Sequence, residues 1–158
     1  MNIGYASLAD MQAWAAQIMS RECDFPIGGR ENPYLERWWI IPRNEQQNVY
    51  LHRILRDDDD RALHDHPWEN ISYVIAGSYR EITPDGTFVR QPGDIVRRQA
   101  TDMHRLELIY GQPCVSLFFT GPKVREWGFD CPKGWVHWQD FTAGDNGELV
   151  GNGCGEFA

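Results

Sequence analysis

The sequence carries no excess of positive charge. Fifteen Lys and Arg against twenty-three Asp and Glu leave a formal net charge of −8. That balance argues against electrostatically driven binding to nucleic acid or to an anionic membrane. No apolar run approaches the length of a bilayer span. Residues 1–19 lack the basic n-region and continuous apolar h-region of a signal peptide. The four cysteines (Cys23, Cys114, Cys131 and Cys154) show no C-x-x-C spacing. The expectation is a cytoplasmic protein with reduced thiols, a Cys131–Cys154 disulfide being the lesser alternative. Neither an internal repeat nor a second domain is visible.

The 158 residues suit one domain, long enough to bury about 70% of its unfolded surface. Aromatics make up 13% of the chain, with seven tryptophans, which suggests a β-rich interior or a lined pocket. Ser7-Leu8-Ala9-Asp10 has the form of a capping box. Leu8, Met11, Trp14, Ala15 and Ile18 follow at helical spacing, predicting one amphipathic helix over 7–20. Residues 23–34, with Pro26, Gly28, Gly29, Asn32 and Pro33, read as a loop. The acidic run Asp57–Asp60 reads as a solvated turn, because a calcium loop needs spaced ligands and a glycine hinge.

Short strands fill the middle of the chain, about 35–141. They are predicted at 35–41, 48–55, 79–83, 87–90, 95–98, 104–110, 114–120 and 135–138, separated by turns such as Pro84-Asp85-Gly86. Strands at this spacing indicate a mainly β protein, an antiparallel sandwich or barrel with one N-terminal helix. A Gly-rich tail, 142–158, follows. The Trp-rich segment 123–141 has no assigned role.

One stretch organises the rest: His64-Asp65-His66-Pro67-Trp68-Glu69-Asn70, leading through an apolar run to Gly77. Alternation along a strand puts His64, His66, Trp68 and Asn70 on one face. Glu69 and Tyr73 fall on the other. Gly93-Asp94 begins a later block that ends at His104, eleven residues after Gly93. These two blocks, fifteen residues apart, resemble the paired sequence motifs of the cupin superfamily over residues 60–110. The resemblance implies an RmlC-like double-stranded β-helix, or jelly roll, holding a metal at His64, His66 and His104. The family's first motif expects a glutamate where this chain has Asn70, a possible fourth ligand. A three-histidine site without that glutamate is similar to the thiol dioxygenases, which bind iron.

Three neutral imidazoles leave a divalent charge uncompensated and favour an anionic ligand. The leading expectation is therefore a dioxygenase using Fe(II), with Zn, Ni or Mn as alternatives, on a small thiol or carboxylate. Tyr79, Arg53 and Glu69 are its catalytic candidates. Arg53, Arg80, Arg97, Arg98 and Arg105 are candidates for binding a carboxylate. The rival readings are a non-catalytic ligand- or metal-binding module and a sugar-epimerase-like isomerase. The isomerase needs a His–carboxylate dyad, His66 with Glu81 or Asp65, opposite Tyr79. His52 and His137 read as structural. Pairing through sheet edges makes a homodimer reasonable.

Overall fold

The computed structural model describes residues 6–58, 62–145, 147 and 149–155. Helix α1 (Leu8–Ile18) opens on the expected capping box. The Ser7 hydroxyl accepts from the Asp10 amide at 3.1 Å, and the Asp10 carboxylate accepts from the Ser7 amide at 3.0 Å. Its apolar face, with Met11, Trp14, Ala15 and Ile18, packs against Trp38, Leu51, Ile75 and Val115.

The strands are β1 (Phe25–Ile27), β2 (Leu35–Trp39), β3 (Asn48–Ile54), β4 (Leu63–His64), β5 (Asn70–Ala76), β6 (Tyr79–Thr83) and β7 (Gly86–Arg90). They continue with β8 (Ile95–Arg98), β9 (Arg105–Leu108), β10 (Cys114–Thr120), β11 (Gly128–Cys131) and β12 (Gly134–His137). A short helix α2 (Trp138–Phe141) leads to β13 (Thr142–Ala143) and β14 (Leu149–Val150). One sheet has the order β1-β2-β3-β10-β5-β8; a second has β7-β6-β9; a third has β12-β11-β4. All named pairings are antiparallel.

The alternation along each strand assigns its two faces. On the large sheet Trp38, Leu51, Ile75 and Val115 turn outward to α1. Leu35, Ile54, Val74 and Cys114 turn inward and meet Tyr79 and Leu108 of the second sheet. The core thus lies between two sheets, and the site opens from the same inner face.

The structure corrects the sequence reading in three places. Residues 23–34 are not all loop, because β1 pairs with β2. Pro26 is tolerated there because β1 is an edge strand. The acidic run is not fully solvated. Asp57 and Asp58 accept the amides of Leu108 and Leu106 at 2.6 and 2.7 Å, supplying acceptors along β9; Asp59 and Asp60 lie outside the described residues. Cys131 and Cys154 are not free thiols: they form a disulfide across a Cα–Cα distance of 5.5 Å. Such a bridge calls for an oxidising setting. Cys23 and Cys114 remain free.

The disulfide holds the C-terminal segment against the barrel. Phe141 stacks on Phe129 at 3.7 Å, and the Gly153 amide donates to Phe141 O at 2.9 Å. Cys154→Ser should therefore lower the unfolding free energy by about 3 kcal/mol, read by urea denaturation with and without reductant. An unchanged midpoint in both conditions means the bridge does not form in solution. Gly77 turns β5 into β6 with φ +70°, and a Cβ there would lie 2.3 Å from Pro113 O. Gly77→Ala is expected to cost at least about 2 kcal/mol in the same experiment.

Candidate metal centre and ligand cavity

A cavity of about 350 Å³ opens between the sheets, within the range of small-molecule sites. His64 ends β4, His66 follows two residues later, and His104 immediately precedes β9. Their backbones are locked together. His64 N–H donates to His104 O at 2.8 Å, His104 N–H returns to His64 O at 3.0 Å, and His66 N–H donates to Ala100 O at 3.0 Å. One ring nitrogen from each lies within 4.8 Å of the others.

The surroundings suit these rings to metal binding. Burial holds all three below the ordinary histidine range, His64 down to about 4 and His66 well below it. For His104, burial outweighs the hydrogen bond it donates to Glu81, which acts in the opposite direction. The rings are therefore neutral, as metal ligands must be. The Glu81 carboxylate lies 2.7 Å from His104 Nδ1. It holds the proton on that nitrogen and leaves Nε2 as a lone pair, a usual outer-shell arrangement for a ligating histidine. Among the described residues, Nδ1 of His64 and of His66 are buried without a hydrogen-bond partner; the Asp58 carboxylate lies 3.9 Å from His64 Nδ1. Three neutral imidazoles with unspent nitrogens fit a divalent transition ion.

Glu81 does more than orient His104. Only 2% exposed, it accepts from Arg98 Nε at 2.5 Å and Arg90 Nε at 2.7 Å. Burial pushes its carboxyl up, but the hydrogen bonds from His104 and Arg98 prevail and hold it well below the usual carboxylate range. Arg98 also donates to Ser72 Oγ at 3.0 Å and Asn70 Oδ1 at 3.3 Å. The Asn70 carbonyl, expected as a possible metal ligand, is thus turned to Arg98.

The other candidates separate clearly. Tyr79 lines the cavity. Its hydroxyl lies 3.5 Å from Arg98 Nη2, and burial raises its pKa despite that cation. Arg53 instead pairs with Glu36 at 2.6 Å and lies outside the cavity. Glu69 is exposed and meets Arg97 at 3.4 Å, because it keeps the alternation that points it outward. Neither belongs among the catalytic candidates. Trp68 stacks on His66 with centroids 5.4 Å apart, as its parity predicts. His137 lies beside Glu126, away from the cavity.

Several contacts around the site escape sequence reasoning, and the expected His66–Asp65 dyad does not form. Asp65 points away from its neighbouring histidines. It accepts from Gly128 N at 2.8 Å, Trp135 Nε1 at 3.1 Å and Arg125. This explains the Trp-rich segment: it is tied behind the histidine loop and lends Trp127 and Phe129 to the cavity wall. His52 and Arg37 line the cavity as well. Along β2 Arg37 faces opposite to Trp38, and no sequence signal says which of the two faces is inward. Thr142, Leu149 and Val150 also line the cavity, so part of the C-terminal segment contributes to its wall.

No protein-family model and no curated protein matches the chain. Solved structures do. The DMSP lyase DddQ of Ruegeria pomeroyi is 16% identical, with a TM-score of 0.57 over 83% of this chain and 72% of that one. A sugar phosphate isomerase of the cupin superfamily from Silicibacter pomeroyi is 13% identical, with a TM-score of 0.51 over 74% and 80%. A double-stranded β-helix protein from Klebsiella pneumoniae is 16% identical, with a TM-score of 0.51 over 64% and 88%. Likeness at this level speaks for the fold, a double-stranded β-helix. It does not carry an activity across.

The Glu81 cluster makes a direct prediction. Glu81→Gln leaves Arg98 buried without its counter-charge and should cost about 3–5 kcal/mol of stability, measured by denaturant unfolding. A loss under about 1 kcal/mol, the scale of an exposed pair, would show that Arg98 finds compensation elsewhere.

Proposed function

We propose that the chain is a small metal-dependent enzyme acting on a small anionic molecule in the cavity beside His64, His66 and His104. The convergence of three neutral imidazoles, His104 buried and His64 and His66 half-buried, carries this reading. These residues would hold the ion, Glu81 fixes the His104 tautomer, and Asp58 stands near His64. A bound divalent ion, with Fe(II) the first choice, would supply Lewis acidity or dioxygen activation. Trp68, Trp127 and Phe129 wall the site against water. Tyr79, with its pKa raised by burial, keeps its proton at neutral pH and is placed to donate it. Thiol dioxygenation is the finer form of this proposal. It rests on three histidines without a carboxylate ligand, together with the preference of such a site for an anionic donor.

A second reading has its own support. His104, backed by Glu81, and Tyr79 line one cavity, the parts a metal-free isomerase needs, although the dyad uses His104 where His66 was expected. Metal dependence separates the two. Elemental analysis of the purified protein should find close to one transition metal ion per chain, lost in a His64→Ala/His104→Ala double variant. A wild type without metal that ignores added Fe²⁺, Zn²⁺, Mn²⁺ and Ni²⁺ overturns the metal reading and favours the isomerase. Oxygen consumption with small thiols tests the finer form: binding without uptake leaves a sensor or another metal-dependent reaction.

A further inference from the structure

A second charged group in the cavity lies outside the histidine cluster. Arg37 comes from β2, its side chain on the inner face with Leu35. Its Nε donates to His52 Nε2 at 2.9 Å, and its guanidinium lies over the Tyr50 ring, 4.4 Å from the centroid. Among the described residues no carboxylate pairs with it, and Nη1 and Nη2 have no hydrogen-bond partner. This sets it apart from its neighbours. Arg53 has Glu36, Arg90 and Arg98 have Glu81, Arg97 has Glu69, Arg105 has Glu107 and Arg125 has Asp65. Of the two arginines that line the cavity, Arg98 is paired with Glu81, and Arg37 has no acid among the described residues. Desolvation draws its pKa down to about 10, which still leaves it charged at neutral pH.

The partners it does have prepare it for an anion and do not neutralise it. His52 is buried and kept neutral, first by desolvation and then by Arg37 itself. It accepts the Nε proton and fixes the plane of the guanidinium. The Tyr50 face attracts the cation without supplying a formal charge. The terminal fork remains open, the geometry that pairs bidentately with a carboxylate.

A continuous run of rings joins this end to the histidine cluster. His52 stacks on Phe118 with centroids 4.9 Å apart, Phe118 meets Trp68 edge-on at 5.5 Å, and Trp68 stacks on His66 at 5.4 Å. Two aromatic residues therefore separate the cationic end from the proposed metal end, and both line the cavity.

We propose that Arg37 is the anchor for a carboxylate, and that the ligand is an elongated carboxylic acid with a flat or apolar middle. The carboxylate pairs with the Arg37 fork, the middle lies along Phe118 and Trp68, and the far end reaches the histidines. This deepens the reading of the metal centre and rests on it for the identity of the far end. The anchor itself stands on the Arg37 geometry. A two-carbon acid would fill the anchor and forgo the aromatic wall, whereas the corresponding amide would fit the wall and leave the guanidinium without a counter-charge.

Calorimetric titration with 3-phenylpropionate, 3-phenylpropanamide and acetate tests this directly. Metal content is measured separately, and the titrations are run on both metal-loaded and chelator-treated protein. The wild type should bind 3-phenylpropionate at least about tenfold more tightly than either the amide or acetate. Arg37→Gln should abolish the preference for acid over amide while metal content stays unchanged. Arg37→Lys, which keeps the charge but not the fork, should retain part of it. Circular dichroism melts establish that each variant is folded; should the Gln variant fail to fold, the Lys variant and the wild-type ligand series decide. The proposal is overturned if the wild type binds acid and amide equally, if acetate binds as well as 3-phenylpropionate, or if the Gln variant keeps the preference. It is also overturned if 3-phenylpropionate shows no binding at millimolar concentration. A chain that holds no metal overturns the metal reading alone, since the preference for acid over amide is scored in either state.

Discussion

The buried carboxylate of Glu81 is the constraint on which the site depends. A charge this deep is stable only when its oxygens are taken up by donors of opposite charge or by strong hydrogen bonds. Arg90 from β7, Arg98 from β8 and His104 from the approach to β9 provide them. Arg98 carries the network on to Asn70 and Ser72 of β5. One side chain thereby joins the large sheet to the smaller one, sets the His104 tautomer and determines what Asn70 can do. The histidine cluster sits at the front of this network, and its geometry follows from what lies behind it.

That dependence accounts for the residue at position 70. Asn70 stands where the cupin motif expects a glutamate, and alternation does turn it inward. A carboxylate there would face Arg98 in competition with Glu81, placing two buried acids around one guanidinium. A neutral amide serves the network without that repulsion. The acid near the metal centre has in effect moved from the ligand position to the outer side of His104. It stabilises a ligand there without adding charge to the ligand set.

The parts of the molecule legible in sequence are those governed by local period. The capping box of α1, the alternation of β5 and the Trp68–His66 face all follow from residues close together in the chain. The histidine triad was legible too, because two motif blocks with fixed internal spacing carry it. Contacts set by tertiary pairing were not. Phe25–Ile27 becomes a strand only because β2 offers it an edge, which outweighs its Pro- and Gly-rich surroundings. Glu81 and Asp58 meet their histidines from 23 and 6 residues away on other elements. Arg37 resembles any other strand arginine until the inner face of β2 is known. The Cys131–Cys154 bridge likewise needs the C-terminal segment folded back across β11 before its two sulfurs meet.

The charge pattern of the cavity differs from that of the whole chain. The protein is acidic overall, so its acids pair with most of its arginines, and ordinary ion pairs of this kind contribute little specificity. Behind the cavity wall, Glu81 is committed to Arg90, Arg98 and His104, and at the wall Asp65 is committed to Arg125 and the Trp-rich segment. Asp58 accepts from the Leu106 amide and the Tyr34 hydroxyl. Among the described residues these acids are therefore already engaged, while Arg37 has no carboxylate partner and the histidines are neutral. Any divalent ion added to such a site increases the imbalance, and in a desolvated pocket the cost of that imbalance is higher than at the surface. A ligand that carries negative charge would offset that imbalance, which is the physical ground for the anionic substrate proposed above.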